Sequence, residues 1–277
     1  MSGSRWRGFS ALVGVLLASC GEKEPPAEPV AIPTVMVMAS DYAFQMPDTL
    51  AAGVTTFRLM NHGQEVHHLT LIRLADGQTM ADFLKSMQGP PPAGIAFKGG
   101  PNVAGPGGAV EATLDLQPGN YVAICAIPSP DGQPHAAKGM VKGLTVVPAQ
   151  GTAPAAAPTA DVTIKLNDYG FETSRPLAAG RQVIRIENAA AQAHELVFVK
   201  LEPGRTVEDV ARWAEKPEGP PPGSPLDGVS AMAPGEWNSV SVDLVPGEYG
   251  FICFLPDLKD GRPHIAHGMV KQFTVNP

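Results

Sequence analysis

The chain has 277 residues, a net charge of −7 and a hydrophobic share of 44%. That length accommodates two ordinary domains with buried cores, and an acidic balance without a basic patch argues against a nucleic-acid partner. With 30 glycines and 29 prolines the chain favours a turn-rich all-β protein over a helical one, yet stays short of low-complexity composition.

Residues 1–19 read as a signal peptide rather than as fold. Arg5 and Arg7 give a positive start, and Phe9 to Ala18 is an apolar run too short for a permanent membrane helix. Leu17-Ala18-Ser19-Cys20 resembles a bacterial lipobox, which implies lipid on Cys20 as the first mature residue. The alternative is an ordinary cleaved signal. Residues 20–30 are polar and Pro-rich, as expected of a tether. The lipobox implies an extracytoplasmic, periplasmic-side protein anchored to a bacterial membrane.

Beyond the tether the chain repeats itself. Asp41-Tyr42-Ala43-Phe44 matches Asp168-Tyr169-Gly170-Phe171, and Leu50-Ala51-Ala52-Gly53 matches Leu177-Ala178-Ala179-Gly180. Asn61 to Leu74 matches Asn188 to Leu201, and Pro118 to Val147 matches Pro246 to Val275. Such duplication defines two units, 31–147 and 161–277, joined by a small-residue linker over 148–160.

Each unit reads mostly as strands. Val54 to Leu59 and Val183 to Ile186 alternate apolar and polar residues, the period of a half-buried strand. Leu69 to Ile72 and Leu196 to Val199 are continuously apolar, as for strands covered on both faces. One helix interrupts each unit, opened by Thr79 and Thr206 with an acid three residues on, and ending near Met87 and Glu215. Met80, Phe83, Leu84 and Met87 in one, and Val207, Val210 and Trp213 in the other, form a face for packing. The runs Gly89 to Pro92 and Gly219 to Pro222 then open long Pro/Gly loops, expected to cover a sheet edge. Val110 to Leu116 and Asn238 to Leu244 alternate again before tight Pro-Gly turns. Several short strands per unit argue for a β-sandwich.

Chemistry concentrates in the last loop of each unit. Cys125, His135 and Met140 recur as Cys253, His264 and Met269, with four residues between His and Met in both. Thiolate, imidazole and thioether form a soft donor set that suits copper better than calcium or magnesium. His67 and His194, each six residues after a matched Asn, add a second imidazole. Taken singly each residue has a plainer role, a core Cys or Met or a surface His; the ordered set, repeated, does not. Four of the seven histidines fall on these positions. His68 follows His67 and points to the opposite strand face. It pairs in the repeat with Glu195, whereas His67 pairs with His194. His267 pairs with Lys138 and belongs at the surface. A Cys125–Cys253 disulfide is the alternative use of the thiols, but it needs a symmetric docking and leaves the His and Met residues unexplained.

These motifs resemble the cupredoxin family of type 1 blue copper proteins: Asn61-His62-Gly63…His67 is similar to the plastocyanin Asn-x-Gly…His run, and Tyr121…Cys125…His135…Met140 with Tyr249…Cys253…His264…Met269 resembles the ligand loop. The resemblance implies two tandem cupredoxin-like Greek-key β-sandwich domains, each with a trigonal His₂Cys copper site and a weak axial Met. The Cys-to-His spacing is longer than in plastocyanin or azurin and closer to nitrite reductase. The Asn that usually follows the strand His and braces the loop is here His68 or Glu195.

The function expected is electron transfer through two copper centres per chain, with a redox partner protein at or near the membrane. Copper storage, delivery or sensing would use the same ligands. A copper enzyme is not expected, because no His-x-His pair and no His beside either Cys occurs.

Overall fold

The computed structural model describes residues 3, 30–86, 93–150, 155–216 and 218–277. The expectations placed on the signal peptide, on lipidated Cys20 and on the Gly89–Pro92 run lie outside the described residues.

In the N-terminal half the strands are β1 (Thr34–Ser40), β2 (Ala43–Gln45), β3 (Thr49–Ala51), β4 (Gly53–Asn61) and β5 (Thr70–Arg73), then, after helix α1 (Met80–Ser86), β6 (Ala96–Gly99), β7 (Ala109–Leu116), β8 (Gly119–Ile124) and β9 (Val141–Val147). In the C-terminal half they are β10 (Val162–Asn167), β11 (Gly170–Thr173), β12 (Gly180–Asn188) and β13 (His194–Leu201), then, after helix α2 (Val207–Glu215), β14 (Gly223–Met232), β15 (Trp237–Leu244), β16 (Gly247–Ile252) and β17 (Val270–Val275). The protein is all-β, a sandwich of two sheets with two short helices.

The two halves share one strand order. One sheet runs β11-β10-β12-β15-β7-β4-β1-β2, and the other β17-β16-β13-β14-β6-β5-β8-β9-β3. Read from the middle outward, β7-β4-β1-β2 mirrors β15-β12-β10-β11, and β6-β5-β8-β9 mirrors β14-β13-β16-β17. Equivalent strands therefore meet at the junction. β7 pairs antiparallel with β15, and β6 with β14. Both sheets are continuous across the halves.

The alternating sequence of β1 and β4 gives alternating burial, as a pleat with one face on the core requires. β5 and β13 are buried on both faces, because α1 and α2 cover their outer side with Phe83, Val207 and Val210. The Thr206 hydroxyl accepts from Asp209 N–H and completes a capping box. Two expectations are corrected. Leu84 is exposed, since a seven-residue helix presents only a narrow buried stripe. The segments read as Pro/Gly loop contain strands β6 and β14; their Gly and Pro content hid pairing that β5 and β13 dictate.

The junction is polar as well as apolar. Lys98 and Glu236 form an ion pair across it, and the buried Asn238 side chain accepts from Gly100 N–H at 2.9 Å and donates to the Lys98 carbonyl at 2.9 Å. Gly100 and Gly228 sit at φ 137° and 142°, where a Cβ would lie 2.3 Å from the Leu69 carbonyl oxygen and 2.0 Å from that of Leu196. Only glycine lets the backbones approach there.

Candidate metal centres

Each ligand loop is shaped before any ion enters. Cys125 directly follows β8, and its N–H donates to the Met140 carbonyl at 3.2 Å. Ala136 N–H returns to the Cys125 carbonyl at 2.7 Å, and Met140 N–H to the His135 carbonyl at 2.9 Å. His135 opens a 3-10 turn that Gly139 closes in the left-handed region. The second loop repeats the pattern: Cys253 N–H to Met269 at 3.3 Å, Met269 N–H to His264 at 3.0 Å, and a turn from His264 closed by Gly268. His67 enters from the other side, bridged to Ala104, and His194 is the first residue of β13.

The structure brings together what the sequence pointed to. His67, Cys125 and His135 form one group and His194, Cys253 and His264 another, with the ligand atoms of each within 4.8 Å of one another. In the first, the two Nδ1 atoms lie 3.0 Å apart and Cys125 Sγ is 3.4 Å from His135 Nδ1. In the second, Cys253 Sγ is 3.8 Å from His194 Nδ1 and 3.3 Å from His264 Nδ1. All six, with Met140 and Met269, have no exposed surface. Each Met packs in the same apolar cluster as its Cys. Both cysteines are free thiols, so no disulfide joins the halves.

Carboxylates fix which imidazole nitrogen faces inward. Asp41 Oδ1 lies 3.1 Å from His67 Nε2, Glu65 Oε2 lies 2.9 Å from His135 Nε2, and Asp168 Oδ1 lies 2.9 Å from His194 Nε2. His264 Nε2 is 3.7 Å from Asp257 Oδ2 and has no hydrogen-bond partner. Burial pulls His67, His194 and His264 below the usual histidine range, which favours the neutral imidazole, and His67 and His194 hydrogen-bond their carboxylates. With Nε2–H donated to a carboxylate, Nδ1 keeps its lone pair for a metal. Burial pushes the Cys125 thiol up to about 11, and that of Cys253 higher still with the Glu195 carboxylate adding to burial. A metal must therefore displace a proton from each thiol.

The residue after each strand His performs the bracing, by two chemistries. Ala126 N–H donates to His68 Nε2 at 2.9 Å, and Phe254 N–H to Glu195 Oε1 at 3.0 Å. His68 is thus buried behind the centre and is not a ligand. His267 is half-buried and bonds Asp260 at 3.2 Å.

The duplicated Asp-Tyr pairs had no role in the sequence reading, although their exact repetition was a signal. They form the β1–β2 and β10–β11 turns. Tyr42 and Tyr169 hold φ of 69° and 65°, a left-handed conformation costing roughly 1–3 kcal/mol. The strain places the Asp on the strand His and the Tyr ring edge-on to the loop His, with centroids 5.3 and 5.7 Å apart.

The donor chemistry fits copper: two neutral imidazoles, a thiol that becomes thiolate, and a thioether, all in an apolar shell. Each of the two groups could hold a copper ion.

No protein-family model matches the chain, and no curated protein matches it. Solved structures do. Reduced auracyanin from Roseiflexus castenholzii is 24% identical and covers 43% of this chain and 100% of its own, with a TM-score of 0.29. Copper nitrite reductase from Nitrosomonas europaea is 14% identical over 89% of this chain and 94% of its own, TM-score 0.25. A multicopper oxidase is 13% identical over 88% of each chain, TM-score 0.27. Scores this low carry no detailed argument, and the fold stands on the sheets and the two centres.

One expectation is corrected. The reading that the chain is not an enzyme does not stand, since proteins described as multicopper oxidase and copper nitrite reductase are among the matched structures. The reason is physical. Metal ligands converge from distant positions, as His67 and His135 do, so the lack of a linear His-x-His motif excludes nothing.

Proposed function

We propose that this chain transfers electrons through two type 1 copper centres, one in each half. His67, Cys125, His135 and Met140 would hold the first, with His194, Cys253, His264 and Met269 holding the second. The observation that carries this reading is the pair of buried His-Cys-His groups at equivalent positions. Copper would supply a one-electron couple. The chain's residues do the rest: carboxylates hold the imidazoles with Nδ1 inward, the backbone braces each loop at both ends, and burial keeps water from the thiolate. A site held this firmly needs little rearrangement between oxidation states.

In this reading residues 31–147 and 161–277 are two cupredoxin-like units. Cys20 carries lipid that anchors them on the periplasmic side of a bacterial membrane, and a redox protein there is the partner. The test is to load the part after Cys20 with copper and record the visible spectrum and the copper content. Two coppers per chain with an intense thiolate-to-copper band are expected. A colourless protein with no bound copper overturns the reading.

A further inference from the structure

Copper ligation leaves unexplained a buried polar path that runs from one centre to the other. It begins at Cys125, whose neighbour Ala126 donates its N–H to His68 Nε2 at 2.9 Å. It ends at Cys253, whose neighbour Phe254 donates its N–H to Glu195 Oε1 at 3.0 Å. Between these braces lies one residue, Asn102. Its Nδ2 donates to Glu195 Oε2 at 3.4 Å and to the Val229 carbonyl at 3.2 Å. Because His68 Nε2 accepts, the neutral ring carries its proton on Nδ1. Asn102 Oδ1 has no hydrogen-bond partner, but the chain places Asn102 beside His68: His67 N–H donates to the Ala104 carbonyl and Leu69 N–H to the Pro101 carbonyl, each at 3.0 Å. His68, Asn102 and Glu195 are 7%, 1% and 5% exposed.

Holding the halves together does not require this path. The junction has a local two-fold character, since Pro101 bridges Val229, Asn102 N–H donates to the Gly228 carbonyl and Ser230 N–H to the Gly100 carbonyl. The counterpart of Asn102 is therefore Ser230, whose hydroxyl simply donates to the Leu69 carbonyl at 2.9 Å. A serine satisfies the junction at the mirrored position. Burying a histidine, an amide and a carboxyl side by side costs free energy that apolar residues would not. His68 and Glu195 each hold one cysteine loop, and Asn102 lies between them.

We propose that His68, Asn102 and Glu195 form the route along which the two copper centres exchange an electron. The proposal rests on the copper reading above. In the step one centre loses one electron and the other gains it; no bond breaks and no proton moves. The route runs through the Cys125–Ala126 backbone, the His68 ring, the Asn102 amide, the Glu195 carboxyl and the Phe254–Cys253 backbone. These groups are buried and packed together, and are hydrogen-bonded on either side of the His68–Asn102 contact. Asn102 is a positioning residue and touches neither metal.

The experiment uses the two-copper protein, with the band of each centre assigned from the Cys125→Ser and Cys253→Ser variants. One centre is reduced by pulse radiolysis, and relaxation between the centres is followed. Asn102→Leu should slow this relaxation about tenfold while both bands and the copper count remain. Asn102→Ser, which is too short to span His68 and Glu195, serves if the Leu variant does not fold. In the metal-free protein the same variants should move the amide signals of both Ala126 and Phe254. Ser230→Ala should leave the relaxation unchanged. The proposal falls if the Asn102 variants relax at the parent rate, if Ser230→Ala slows relaxation equally, or if neither amide moves. Two bound coppers that never exchange an electron sink this inference alone. Absence of bound copper sinks the copper reading and the inference with it.

Discussion

The two centres use one ligand set but draw their supporting carboxylates from different places. In the N-terminal half Glu65 hydrogen-bonds His135 at 2.9 Å and accepts from Tyr42 Oη at 2.7 Å, while Ser129 donates to that same hydroxyl at 3.3 Å. In the C-terminal half Gln192 stands at the position of Glu65, and Asp257 at that of Ser129. There Tyr169 Oη donates to Asp257 at 2.5 Å, and Gln192 Nε2 donates to the same carboxylate at 2.8 Å. The charge has moved across the loop and the tyrosine follows it. The acid reaches His135 closely but stands 3.7 Å from His264. Similarly, the residue that braces each cysteine loop is a neutral imidazole in one half and a buried carboxyl in the other. The backbone fixes that a hydrogen-bond partner must stand at each place. It does not fix which side chain supplies it.

The largest effect should come from removing a thiol. Cys125→Ser and Cys253→Ser should each lower the copper content from two to one and remove one centre's share of the visible band, measured by metal analysis and absorbance. Loss of both coppers from either variant would show that the centres are not independent.

Next comes the relocated charge. Glu65→Gln should weaken copper binding at the first centre by about tenfold, as loss of a carboxylate on a ligating imidazole does. Adding Ser129→Asp recreates the arrangement of the other half and should recover most of that loss. Competition titration with a chelator measures both steps. A double variant no better than the single one would break the equivalence drawn between the halves.

The two braces should respond to pH with opposite signs in the metal-free protein. Burial raises Glu195 from 4.5 to about 7. Its contribution is therefore complete below pH 4.5 and is lost as pH rises to 7. Burial lowers His68 from 6.5 to about 4. Its contribution is complete above pH 6.5 and is lost as pH falls to 4. Each span corresponds to something on the order of 3 kcal/mol. Glu195→Gln should remove the loss on the alkaline side and His68→Asn the loss on the acid side, as read from urea midpoints across pH 4 to 7. Identical profiles for parent and variants would show that these groups are not held as the structure has them.

The smallest expected effect is at the strained turns. Tyr42→Phe and Tyr169→Phe each remove one hydroxyl from a carboxylate and should lower the melting temperature by about 2 °C. The ring against the loop histidine stays in place, so the copper band should not move.

Much of this protein was legible along the chain. The ordered Cys, His and Met residues, doubled, named the candidate ligands, because a loop between two paired strands can bring three side chains to one point whatever the rest of the fold does. Alternation in Val54 to Leu59 and continuous apolarity in Leu196 to Val199 gave half-buried and doubly covered strands, since burial follows the two-residue period of the pleat. Other features were not legible. β6 and β14 were hidden by Gly and Pro, and only the edges of β5 and β13 called them into the sheet. Asp41 and Tyr42 looked like repeat markers until the turn folded them onto His67 and His135.

Local pattern therefore determined the class of fold and the candidate copper ligands, which depend on residue type and spacing. Tertiary structure alone decided that equivalent strands meet at the junction in two continuous sheets. It also placed carboxylates on three of the four ligand imidazoles, with a fourth standing off His264. Asn102, unmarked by any motif, came to lie between His68 and Glu195 for the same reason. Such contacts join residues tens of positions apart and arise only when the sheets close, where no spacing rule reaches.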